Sequence, residues 1–167
     1  MLNGVPDHEF YMRMAIQQAR LAREEGEVPT GAVIVRVPDG ADPKPRPVFL
    51  AHAHNQVERL KDPTAHAEMI AITQAASALG DWRLEKTVLY VTKEPCAMCA
   101  GAIVLARIPT VVFGTPDPRR GGAGGAFNIL HHPRLNHRCQ VVSGILEDEC
   151  RDLLQDFFAA CRRRDEE

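Results

Sequence analysis

The residues best suited to chemistry in this chain fall in two short stretches, "PTAHAEM" (Pro63 to Met69) and "PCAMC" (Pro95 to Cys99). Cys96 and Cys99 are separated by two residues, a spacing that serves a redox disulfide, half of a metal site, or two buried small side chains. On a helix, residues three apart share a face, so both sulfurs project from the first turn. Free amides and the positive end of the helix dipole there favour thiolate over thiol. Two thiolates make half of a tetrahedral zinc site. A thioredoxin-like redox pair is the competing reading, because this CxxC also follows a strand.

The other half of a zinc site lies upstream, where His66 and Glu68 begin a second helix after a turn. Residues two apart on a helix differ by roughly 200° of rotation, so in mid-helix these side chains would diverge. At the first turn of a helix aimed end-on, both reach one site. His66, Cys96 and Cys99 as ligands leave a fourth position for water, which is the arrangement of a catalytic zinc. Zinc lowers the pKa of a bound water to about 7. Two thiolates cancel the charge of the metal, so the base must be a separate group, and Glu68 is the carboxylate at hand. The chemistry implied is hydroxide attack on an sp² carbon, with a carboxylate moving protons. A silent zinc or RNA-binding module would have no need of Glu68.

The elements that must position these residues are legible from periodicity and breakers. Asp7 caps a helix expected to run to Glu25, with Phe10, Met14, Ala15, Leu21 and Ala22 as its apolar stripe and Gly26 at its end. "GAVIVRV" (Gly31 to Val37) is a strand, and the proline-rich "PDGADPKPRP" (Pro38 to Pro47) is an exposed loop, expected far from the zinc, leading to the strand "VFLAHAHN". Thr64 is expected to cap a helix from Ala65 to Leu79. "TVLYVT" is the next strand, followed by a helix opened by Pro95, the strand "TVVFG", a glycine-rich loop, a short helix at "AFNILHH" and the strand "CQVVSG". A helix from Glu147 to Arg164 ends the chain, with Leu153, Leu154, Phe157 and Phe158 facing inward. Strands alternating with helices predict a three-layer α/β/α sandwich. Its sheet is mixed, because the first two strands are joined by too short a loop for a parallel crossover.

At 167 residues the chain suits one domain, 1–167. No signal sequence or membrane span is visible, and five cysteines, an odd number, predict a reducing cytoplasm. The net charge of −2 gives no general attraction for nucleic acid. Any RNA contact must come from local arginines, for which Arg119, Arg120, Arg138 and Arg162 are the candidates. The glycines from Gly121 to Gly125 lack a following Lys-Ser/Thr, so they do not form a P-loop. Cys150 and Cys161 lie about 16 Å apart along the last helix, beyond disulfide reach. Cys139 is a small buried hydrophobe.

The H-x-E … P-C-x-x-C pattern resembles the signature of zinc nucleobase deaminases. Longer stretches narrow the resemblance. "DPTAHAEM", "YVTKEPCAMCAGAI", "RIPTVVFGTPD", "FNILHHPRLNHR" and "GILEDECRDLLQDFF" are similar to the bacterial tRNA-specific adenosine deaminases, as are "HEFYMRMAIQQARLA" and "GEVPTGAVIV". Guanine deaminases share "DPTAHAE" but lack "HHPRLNH" and the terminal "DFF", so a free base such as guanine is the alternative substrate. The resemblance implies a cytidine deaminase-like fold with a central mixed five-stranded sheet. It also implies a homodimer, one Zn²⁺ per chain, and hydrolysis of adenosine to inosine at the wobble position of a tRNA anticodon. By position it implies that Asn55 hydrogen-bonds the flipped adenine and that Val28 and Pro29 line the base pocket. Asp117 would contact the ribose-phosphate of a neighbouring nucleotide, and Asn136 and Phe158 would hold the splayed anticodon loop. Three departures stand out: the proline-rich loop at 38–47 is longer than the short turn usual in the family, Lys93 occupies a position usually apolar there, and His52 and His54 share a strand face, either solvent-facing or forming a second metal site.

Overall fold

The computed structural model describes residues 7–38 and 46–166. Five strands form one sheet: β1 (Gly31–Arg36), β2 (Val48–His54), β3 (Thr87–Lys93), β4 (Thr110–Thr115) and β5 (Gln140–Ser143), in the order β2-β1-β3-β4-β5. β1 runs antiparallel to β2 and β3, while β3, β4 and β5 are mutually parallel, so the sheet is mixed as the connection lengths require. The central strands are buried on both faces, and alternation sorts their side chains. Ala32, Ile34, Leu89, Val91, Val111 and Phe113 point into one core, with Ala67, Ala71 and Ala75 of α3 (Ala67–Leu79) and Ala100, Ile103 and Val104 of α4 (Ala97–Leu105). Val33, Val35, Val88, Tyr90 and Val112 point into the other. That core is closed by Met12, Ala15 and Ile16 of α1 (His8–Glu24) and by Cys150 of α5 (Glu147–Asp165). The three-layer sandwich follows.

Asp7 caps α1 through its carboxylate, which accepts from the Phe10 amide at 3.1 Å, and Gly26 ends the turn with φ of +79°. The buried stripe is rotated from the expected one: Tyr11, Met12, Ala15, Ile16, Ala19 and Ala22 face the sheet, while Phe10 and Leu21 are exposed. The cause is close approach. A Cβ on Gly31 would collide with the Ala15 carbonyl and the Ala19 amide, so α1 lies against β1 through its small residues and turns its bulky ones outward.

Three further elements depart from expectation. The third helix starts later, with His66 and not Thr64 at its cap, because the Thr64 hydroxyl and amide both donate to the Asp62 carboxylate, at 2.7 and 2.8 Å. A short helix, α2 (Val57–Leu60), precedes it. "AFNILHH" forms no helix, since the amides of Ala126, Phe127, Ile129 and Leu130 are taken by the carbonyls of Gly121 and Gly122. On α5, Phe158 is exposed, with Cys150 buried and Leu153, Leu154 and Phe157 partly so. The proline-rich loop falls largely outside the described residues. All five cysteines are free.

Candidate active site

One rim of the sheet gathers the chemistry. Because β3 and β4 are parallel, with Lys93 opposite Thr115, the segments that leave them emerge side by side. One carries Lys93 through Cys96, and the other carries Asp117 through Arg120. β1 enters from the same rim, placing Val28, Pro29 and Thr30 there, and β2 exits beside it, where the Asn55 amide donates to the Thr30 carbonyl at 3.1 Å. The N-termini of α3 and α4 point at this rim. His66 and Cys96 are the N-caps of those two helices, both in extended conformation. An N-cap lies outside the helical turn, so the rotation that would separate His66 from Glu68 in mid-helix does not apply.

His66 Nδ1 lies 3.6 Å from Cys96 Sγ and 3.5 Å from Cys99 Sγ. A tetrahedral ion with ligand bonds of about 2.1 to 2.3 Å would hold its ligand atoms roughly 3.6 Å apart, so the three side chains have the spacing of a zinc triad. Among the described residues they are the one His/Cys/Asp/Glu group of metal-binding shape. His52 is exposed, and the ring of His54 lies 3.3 Å from the Gln18 amide oxygen and 3.2 Å from the Glu25 carboxylate, so the histidine pair does not form a second one. Within the triad the Cys99 thiol hydrogen bond and the His66 ring hold Cys96 down at about 3, as a thiolate. Cys99 is pushed up by its bond to Cys96 and by burial, and His66 is raised by its bond to Cys96.

Glu68 sits in the first turn of α3, 3% exposed, and its Oε2 is buried without a hydrogen-bond partner. Burial raises its carboxyl above the ordinary carboxylate range. An orphaned buried carboxylate oxygen is costly, and it marks a place where a bound group completes the structure. The two thiols, the imidazole and this oxygen together fit zinc and its associated water. The cleft above them has a volume of about 510 Å³ and is bordered by Val28, Asn55, His66, Glu68, Lys93, Cys96, Arg120 and Phe157. Asn55 Oδ1 accepts from the Ala67 amide at 2.9 Å, so the group it has to offer a ligand is its amide nitrogen.

The other expected site residues are placed as follows. Pro29 is buried next to Val28 but does not border the cleft. Asp117 is buried behind Lys93, whose ammonium lies 2.6 Å from it. Arg119 is exposed beside Arg120 in the same loop, and Arg138 is exposed and donates to the Pro133 carbonyl. Asn136 accepts from the Arg107 guanidinium at 2.9 Å. Arg162 and Phe158 are exposed on α5, where it is Phe157 and Cys161 that reach the cleft.

Two buried carboxylates that carry no spacing signal organise the rim. Glu27 accepts from the amides of Glu58 and Arg59, at 3.1 and 2.8 Å, and so fixes α2 at the cleft wall. Glu94 accepts from Asp117, Ala123 and Gly125 amides at 2.8, 3.0 and 2.9 Å. A Cβ on Gly121 would collide with that carboxylate, so the glycine-rich loop does cradle an anion, but an internal one.

The sequence and the fold are similar to those of known proteins. The family model for MafB19-like deaminases matches residues 6–162. The tRNA-specific adenosine deaminase of Bacillus subtilis (strain 168) is 48% identical over 156 residues, covering 93% of this chain and 91% of its own. The chain belongs to the tRNA-specific adenosine deaminase family. A solved structure from a study of A-to-I editing by tRNA:A34 deaminases at the wobble position of transfer RNA superposes with a TM-score of 0.78. It is 39% identical and covers 87% of this chain and 99% of that one. A Bacillus subtilis guanine deaminase structure is 37% identical but matches only 66% of each chain, with a TM-score of 0.57. Membership of the adenosine deaminase family is therefore carried along nearly the full length, the C-terminal segment included.

Proposed function

We propose that this protein hydrolyses adenosine to inosine at the wobble position of a tRNA anticodon. The observation that carries the reading is the buried, unpartnered Glu68 oxygen beside the His66–Cys96–Cys99 triad, at the floor of a cleft large enough for a base. His66, Cys96 and Cys99 would hold one Zn²⁺ per chain, which when bound would supply the Lewis acid that makes water nucleophilic near neutral pH. In the net reaction a C6–O bond forms from water, the C6–N bond breaks, and ammonia leaves. Glu68 accepts one proton from the attacking water and delivers it to the ring nitrogen, then takes the second from the new C6 hydroxyl and delivers it to the departing amine, leaving the carboxylate as it began. The Asn55 amide nitrogen orients the base and Val28 forms part of its wall, with Pro29 buried behind Val28.

The anticodon loop is held splayed by contacts beyond the base. Asn136 and Phe158 are proposed to engage neighbouring nucleotides, and Arg119, Arg120, Arg138 and Arg162 their phosphates. No helix of the described residues is long and apolar enough to cross a membrane, and five free cysteines support a reducing cytoplasm. We also propose a homodimer. Incubation with an anticodon stem-loop and, separately, with guanine tests the substrate. Inosine and ammonia are expected from the first, and ammonia from guanine alone would refute the reading.

A further inference from the structure

Both oxygens of the Asp117 carboxylate are engaged. One oxygen accepts from the amides of Arg119 and Arg120, at 3.0 and 3.2 Å, and the other lies 2.6 Å from Lys93 Nζ. Burial alone would raise this carboxyl, but Lys93 and the two amides outweigh it and hold it below its ordinary value. Asp117 does not border the cleft. Lys93 does. It stands at the end of β3, three residues before Cys96, and keeps 28% of its side chain exposed beside Arg120, His66 and Glu68. An ammonium carries three donors, and Asp117 takes up one direction of them. The face turned to the cleft is therefore cationic, and a point charge on a flexible stem suits a phosphate.

We propose that Lys93 is a substrate-binding residue that contacts a phosphodiester flanking the reacting base, with Asp117 as the strut that holds its ammonium at the cleft mouth. The inference rests on the RNA-substrate reading above and deepens it. A free base has no phosphate, so this contact favours a nucleotide within a chain over a free nucleobase. The simpler role for Lys93 is neutralising Asp117, and the test separates the two.

Deamination of an anticodon stem-loop is measured for the wild type and for Lys93→Met, which keeps the apolar stem and loses the charge. KM is expected to rise about tenfold with kcat held within about twofold, and the salt dependence of binding to flatten by roughly 0.7 of a log unit per log unit. Lys93→Arg should restore KM to within about threefold. Neutral methylphosphonates are then placed singly on either side of the target. At one linkage the wild-type KM should rise about tenfold, while Lys93→Met is indifferent to it. If Lys93 only neutralises Asp117, the Lys93→Met/Asp117→Asn double variant returns to wild-type KM and slope, and no linkage distinguishes the proteins. That result, or an unchanged KM in Lys93→Met, overturns the assignment while leaving the substrate reading intact. A wild type that forms no inosine from the stem-loop overturns the substrate reading and this inference with it.

Discussion

Glu68 combines two properties that a structural carboxylate rarely shows together, full burial and an oxygen without a partner. Replacing it with the isosteric glutamine removes the proton shuttle but not the volume. Glu68→Gln should therefore keep its zinc and its melting temperature while kcat falls by about 10³-fold. Turnover within tenfold of wild type would show that another group moves the protons. The triad makes a separate prediction. Purified protein should carry one zinc ion per chain by elemental analysis, and Cys96→Ser should lose it along with thermal stability, because binding energy at such a site is folding energy. A Cys96–Cys99 disulfide in the native protein would exclude that site. These four residues were legible in the sequence because each sits at a local spacing, H-x-E or C-x-x-C, next to a helix start. Glu94 and Glu27 were not, since their partners are backbone amides and so leave no trace in residue identity. The Lys93–Asp117 pair joins two residues that only the parallel pairing of β3 and β4 brings together.

At the scale of elements, the loop from Asp117 to Gly125 is organised less by its own turns than by the carboxylate of Glu94 at its centre. Three amide donors converge on that group. Hydrogen bonds to a charged acceptor are worth more than neutral ones, and a buried donor left unmade is costly. Glu94→Gln keeps the shape but sets an amide NH₂ against one or more of those N–H groups. The loss should be about 2 to 4 kcal/mol, read as a melting-temperature drop of about 5 to 10 °C. KM for tRNA should rise as well, because the same loop carries Arg119 and Arg120. An unchanged melting temperature would show that the loop is held by its glycines alone. The strands were readable as β-branched runs, and the long helices from their apolar periodicity and the breakers that bound them. The rotated stripe of α1 was not, because the deciding fact is the absent side chain of Gly31, on another element. The late start of α3 likewise turns on a competition for Thr64 that Asp62 wins.

For the molecule as a whole, the three-layer order was legible because strands buried on both faces demand helices on both sides. What a sequence leaves open at this scale is which helix face stays uncovered. Residues 97–106 of α4 and its C-cap contain no charged side chain. Ala97, Met98, Gly101 and Ala102 are half-buried, and Leu105 is 70% exposed, giving an apolar stripe at four-residue spacing with open space around Gly101. Small residues at that spacing let a second helix approach closely, and burying a leucine is worth roughly 1.5 to 3 kcal/mol. In the homodimer proposed above, a second copy would cover this stripe with its own. Light scattering at micromolar concentration should give twice the chain mass. Leu105→Arg and Gly101→Arg should each shift the mass to that of a single chain. Because both positions are open, their melting transitions should change only through the lost association. A wild-type mass of one chain at that concentration would leave the stripe of α4 solvent-facing and the dimer without support.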